Sequence, residues 1–158
     1  MKNLKRTMII LVVLLSFATT KPNFAHCEIP CGIYQDSLRI ELIKEHIITI
    51  EKSMNMIVKL SKEGDKNYNQ IVRWVVNKEE HAKKIQDIVS QYFLHQRIKL
   101  TDADDKVKHA KYLKQLASLH EILVYSMKAK QTTKLTNIEK LNAAVEKFSG
   151  LYFHKHTH

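Results

Sequence analysis

Both cysteines of the chain lie in one hexapeptide, His26-Cys27-Glu28-Ile29-Pro30-Cys31, and Gly32, Ile33 and Tyr34 follow at once. Pro30 and Gly32 bracket Cys31, so the backbone has to turn sharply there, and Pro30 permits the cis bond that tight turns exploit. Such a turn brings the two sulfurs together. Two chemistries are then open. One is a Cys27–Cys31 disulfide, although closing so small a loop near a chain end restrains little of the unfolded chain and adds little stability. The other is a metal site, because two thiolates and an imidazole within six residues form a soft, compact donor set. Structural zinc usually draws ligands from two separated pairs, and the chain has no second pair of cysteines. Spacing alone does not separate disulfide from metal.

The residues ahead of this segment bear on the choice. Lys2, Lys5, Arg6 and Lys21 occur among the first 25 residues with no acidic residue, and residues 8–18 form an apolar run. A basic start followed by about a dozen apolar residues reads as a secretory signal peptide. The run is short for a membrane span; the competing reading is an uncleaved membrane anchor. Small residues end the run at Ala18, Thr19 and Thr20, and a second cut is possible after Ala25, with Asn23 as an atypical −3 residue. A cut after Ala25 makes His26 the N-terminal residue. Its α-amino group, the Cys27 amide nitrogen and the two thiolates then form a planar N₂S₂ set suited to Ni(II) or Cu(II). The His26 imidazole adds an axial ligand, and thiolate and amidate donors bring Ni(II)/Ni(III) cycling within reach. The expected division is a segment 1–25 removed on maturation and a domain 26–158. Export leads to the periplasm, the extracellular space or an organelle.

The remaining residues have to position this segment. The chain has 158 residues, of which 44% are hydrophobic, enough for one domain with a core. It contains only 3 Gly and 2 Pro. That argues against all-β folds, which need many tight turns, and against Gly-rich phosphate-binding folds. The net charge is +10. Without the first 25 residues the 26 basic residues fall to 22 against 16 acidic, leaving +6. A modest positive charge favours attraction of a small anion. No basic run interleaved with aromatics points to nucleic acid, and the mature form is expected to contact no membrane.

Four helices are predicted. Ile40, Ile43, Ile47, Ile50, Met54 and Ile57 form a stripe over residues 36–61, with Asp36 as N-cap and residues 61–67 as the stop. Residues 68–98 present Ile71, Val75, Ala82, Ile85, Val89 and Tyr92 on one face, widened by Trp74 and Ile88 and interrupted by Lys78. Thr101 and Asp104 resemble a capping box for a third helix, which runs to about Lys130 through Ala110, Leu113, Ala117, Val124 and Met127. Thr136 and Glu139 form a second box ahead of Ile138, Leu141, Val145 and Phe148, with a stop at Gly150. The expected fold is all-α, an antiparallel up-and-down four-helix bundle behind an N-terminal metal-binding hook. Leu60, Leu116, Leu119 and Leu123 lie off the seams and hint at an additional buried face between subunits.

The pattern His26-Cys27-x-x-Pro30-Cys31-Gly32-x-Tyr34 resembles the nickel hook of nickel-containing superoxide dismutase. Arg39-Ile40-Glu41, Lys78-Glu79-Glu80-His81-Ala82 and Gln91-Tyr92-Phe93 are similar to that family as well. The resemblance implies a homohexameric four-helix bundle with one nickel ion per subunit. It also implies superoxide as substrate, O₂ and H₂O₂ as products, and a maturation protease. Carried over residue by residue, the metal ligands are His26, Cys27 and Cys31. Pro30 holds the turn, Tyr34 stands at the open face, Glu41 orients the imidazole and Tyr92 is a second tyrosine near the hook. Glu28 stands where the family commonly has Asp. The spacer between Tyr34 and Arg39 is one residue shorter than in familiar members. The arginine expected beyond Glu41 has no clean counterpart; His81 falls in that region and Arg73 two turns earlier.

The other candidates have plainer readings. His120 is expected in the core of the third helix, and His46 and His81 in solvent or in support of the site. His154, His156 and His158 form a basic tail, and Tyr112 and Tyr125 serve packing. The rival functions are a non-catalytic exported helical metal-binding protein and an interaction module closed by a Cys27–Cys31 disulfide.

Overall fold

A computed structural model describes residues 34–153. Among these residues the chain forms helices and no strands, as expected for the all-helical bundle. We number them α1 (Asp36–Ser61), α2 (Tyr68–Asp87), α3 (Lys106–Gln131) and α4 (Thr136–Phe153). A 3₁₀ turn, Gly64–Asn67, joins α1 to α2, and Gly64 has φ +75°, a left-handed conformation that glycine adopts without steric penalty. All four helices belong to one unit, Gln35–His158.

Contacts across the bundle give its directions. Asp36 at the start of α1 meets Arg97, beyond the end of α2, and Tyr152, in the last turn of α4. Lys78 in α2 reaches the carbonyls of Lys130 and Thr132 where α3 ends, and Gln115 in α3 reaches Leu151 in α4. Consecutive helices are therefore antiparallel, and α4 returns beside α1.

The stripes of α1 and α4 predict their buried faces well. Ile40, Ile43, Ile47, Ile50 and Met54 are buried, as are Ile138, Leu141, Val145 and Phe148; Ile57 is only half-buried. Helix α4 continues through Gly150 to Phe153, a turn beyond the expected stop. On α3 the expected seam is on the wrong side. Leu113 and Met127 are exposed, while Ser118, Leu119, Ile122, Ser126 and Ala129 are buried. Polar and apolar residues are spread around this helix with little segregation, so periodicity could not select the inner face. Ser118 and Ser126 can be buried because their hydroxyls donate to Gln115 and Ile122 carbonyls at 2.9 and 2.7 Å. His120, expected in the core, is exposed as a result. Leu119 and Leu123, expected on an extra face, are part of the core or packed on it. The N-cap of α3 is Asp105, which accepts from the Lys108 N–H at 3.1 Å, one turn beyond the Thr101–Asp104 box.

Lys78 does not interrupt the α2 seam at the surface. It is 4% exposed, and its Nζ donates to the Lys130 and Thr132 carbonyls at 2.6 and 3.2 Å. A cation is favourable at a helix C-terminus. Burial still lowers the Lys78 pKa below its ordinary value.

The expected helix 68–98 is continuous, but from Ile88 to Arg97 its winding widens to a π-helix. The Ile98 N–H closes it on the Phe93 carbonyl, five residues back, at 2.9 Å. Tyr92 and Phe93, adjacent in sequence on this segment, are both buried.

Candidate metal centre

His26, Cys27, Glu28, Pro30 and Cys31 lie outside the described residues. Tyr34, three residues beyond Cys31, is 41% exposed. Asp36 opens α1 two residues later, and its carboxylate accepts from three side chains. Tyr92 donates to Asp36 Oδ1 at 2.5 Å. Arg97 donates through Nε to Oδ1 at 2.8 Å and through Nη2 to Oδ2 at 2.7 Å. Tyr152 donates to Oδ2 at 2.8 Å. Asp36 is thus not the N-cap of α1. That position is Gln35, which makes no side-chain capping bond, and the Asp36 carboxylate turns inward to three donors from two other elements.

The fold arranges this convergence. The π-helical winding carries both Tyr92 and Arg97, and the last turn of α4 carries Tyr152. Beneath them Phe93 packs edge-on against Tyr92, Phe148 and Tyr152, with ring centroids 5.1, 4.9 and 5.6 Å apart. Arg39 lies over the Tyr92 ring, 4.9 Å from its centre. Burial alone would raise the Asp36 pKa, but the hydrogen bonds from Arg97, Tyr92 and Tyr152 outweigh it and hold the carboxyl below its ordinary value. Burial and the bond to Asp36 push Tyr92 and Tyr152 up to about 12. Both phenols therefore stay protonated at neutral pH.

Glu41 is placed differently. Its side chain is 65% exposed and pairs with Lys44 at 3.5 Å, while Lys44 reaches Glu146 at 2.9 Å. Arg73, one candidate for completing the chain beyond Glu41, lines a shallow cleft with Gln70, Trp74 and Asn77. His81, the other candidate, meets His46 across α1 and α2, with Nδ1 atoms 3.1 Å apart. The sequence marks Asp36 only as a helix cap and does not single out Arg97 or Tyr152; only the pairing of distant turns reveals the cluster. Among the described residues no group of three or more His, Cys, Asp or Glu side chains is arranged to hold a metal ion.

The model of one family, nickel-containing superoxide dismutase, matches residues 21–156. The chain belongs to that family. The match covers the cysteine segment and the bundle together. Nickel is accordingly the cofactor and superoxide the substrate of this oxidoreductase, and a non-catalytic metal-binding protein is not favoured. Comparison with curated proteins and with solved structures returns no match.

Proposed function

We propose that the enzyme disproportionates superoxide at a nickel ion held by His26, Cys27 and Cys31, after cleavage behind Ala25 has freed the His26 amine. The observation that carries this reading is the family match, which spans residues 21–156 and so takes in both the donor segment and the bundle. The donor set would suit the ion: the two thiolates, the His26 amine and imidazole and the Cys27 amide nitrogen would hold it. Nickel bound there supplies one-electron exchange between Ni(II) and Ni(III).

The chain's own part is to hold the donors, attract the anion and supply protons. Pro30 sets the turn between the sulfurs, and Glu28 and Glu41 support the donor segment. A net charge of +6 over residues 26–158 favours encounter with an anionic substrate. One superoxide leaves as O₂ after losing an electron; the other gains an electron and two protons to leave as H₂O₂. Tyr34 Oη is the group we assign to relaying protons. Tyr92 is the weaker candidate, since its proton is committed to Asp36 and its pKa is pushed up to about 12. The reading extends to an exported protein, matured by a protease and assembled as a homohexamer with one nickel per subunit.

The test compares protein beginning at His26 with protein carrying one extra N-terminal residue, both reconstituted with Ni(II). Superoxide disproportionation by the first and not the second is the expected result. Equal inactivity, with thiols reduced and nickel bound, overturns the proposal.

A further inference from the structure

His46 on α1 and His81 on α2 approach each other through like atoms, Nδ1 to Nδ1 at 3.1 Å, with ring planes 81° apart and centroids separated by 4.9 Å. Without a cation, one ring donates its Nδ1–H to the lone pair of the other. The same spacing has a second use. Two metal–nitrogen bonds of about 2.0–2.1 Å place their nitrogens about 3.3 Å apart at a tetrahedral angle and about 2.9 Å apart at a right angle. The observed separation lies between these limits.

We infer that His46 and His81 form a second divalent-cation site, a two-imidazole clasp between α1 and α2 that uses none of the donors in residues 26–31. Zinc, copper(II) and nickel all suit imidazole, and water would complete the coordination. The clasp is preorganised. His46 lies between buried Ile43, Ile47 and Ile50, and His81 adjoins buried Ala82 and Ile85, so packing of the two helices sets the distance between the rings. Both rings are half-buried, which leaves a way in for the ion. The charged groups acting on the pair are Glu45 on α1 and Glu80 and Lys84 on α2. The two carboxylates favour a cation and the ammonium opposes it. Burial first, then Lys84 and, for His46, the facing His81 lower both pKa values against the opposing pull of Glu45 and Glu80, which favours the neutral, metal-binding form of both rings at neutral pH.

The test uses the full chain with Cys27 and Cys31 changed to Ser and His26, His154, His156 and His158 changed to Ala, which removes the cysteine and histidine donors near the termini. ZnCl₂ is titrated at neutral pH by calorimetry, with imidazole ¹⁵N resonances followed by NMR. One zinc per chain is expected, with the His46 and His81 resonances shifting together. His46→Ala and His81→Ala should each weaken binding about 10-fold or more, with helical circular dichroism retained. Zinc uptake that leaves those two resonances unmoved, no uptake, or equal uptake by the single variants overturns the site. The resonance shifts are read with the pair intact, so that result does not depend on either variant folding.

Discussion

Asp36 and Glu41 sit five residues apart on one helix and share one functional group, yet their surroundings are opposite. The Asp36 side chain is 17% exposed and accepts from Arg97, Tyr92 and Tyr152; the Glu41 side chain is 65% exposed and pairs with a lysine one turn away. The resemblance to the family points at Glu41. The single chain's own packing points at Asp36. A carboxylate becomes a structural anchor when several donors converge on it and solvent is largely excluded. An exposed pair one turn apart gains little, because water and salt screen it. Asp36 therefore ties together the places where α1 begins and where α2 and α4 end, five residues beyond Cys31.

The largest effect expected is on the floor beneath the anchor. Phe93→Ala should cost about 3–5 kcal/mol, the usual loss for a buried aromatic, because Phe93 supports both tyrosines that bind Asp36. Denaturant unfolding measures it; a loss under about 1 kcal/mol would show that the aromatic floor is not what holds the cluster. Next, Asp36→Ala should cost about 2–3 kcal/mol by leaving a charged donor without its acceptor, while Glu41→Gln should stay within about 0.5 kcal/mol. Equal costs for the two would erase the contrast drawn between them.

Acidity sharpens the comparison further. The folded Asp36 pKa lies below its ordinary value of 3.8. Its contribution to stability is present above that value and is lost as pH falls through the folded pKa. The gap in melting temperature between the unsubstituted protein and Asp36→Ala should therefore narrow in strong acid, whereas Glu41→Gln should show no such trend. Tyr92 and Tyr152 act at the other limit. Their pKa values rise from 10.0 to about 12, so the stability they contribute is present below pH 10 and is lost as pH climbs between those values. A melting temperature flat from pH 9 to 12 would contradict their bonding to Asp36. The smallest effect is kinetic. Rising ionic strength should lower kcat/KM for superoxide several-fold by screening the positive surface, and a salt-independent rate would remove charge steering from the mechanism.

The legible parts of this molecule are those whose cause is local. Residues 26–34 announce a donor set because ligand types and spacing within nine positions are themselves the chemistry. The seams of α1 and α4 are legible because polar residues flank a narrow apolar stripe, as at Ile40, Ile43, Ile47 and Ile50. On α3 polar and apolar residues are mixed around the axis, so burial of Leu119 and exposure of Leu113 were settled only by the neighbouring helices.

The polar cluster was settled in the same way. By itself the sequence determined the helical class, the four segments and the donor-bearing peptide, each set by residues within a few turns of one another. Tertiary structure alone converted Asp36 from expected cap to shared acceptor, through partners 56, 61 and 116 residues away. It likewise joined His46 to His81 across 35 residues. A side chain's partner over such distances depends on where two helices cross and how tightly each is wound, and here the widened turn at Ile88–Arg97 brings Tyr92 and Arg97 onto one carboxylate.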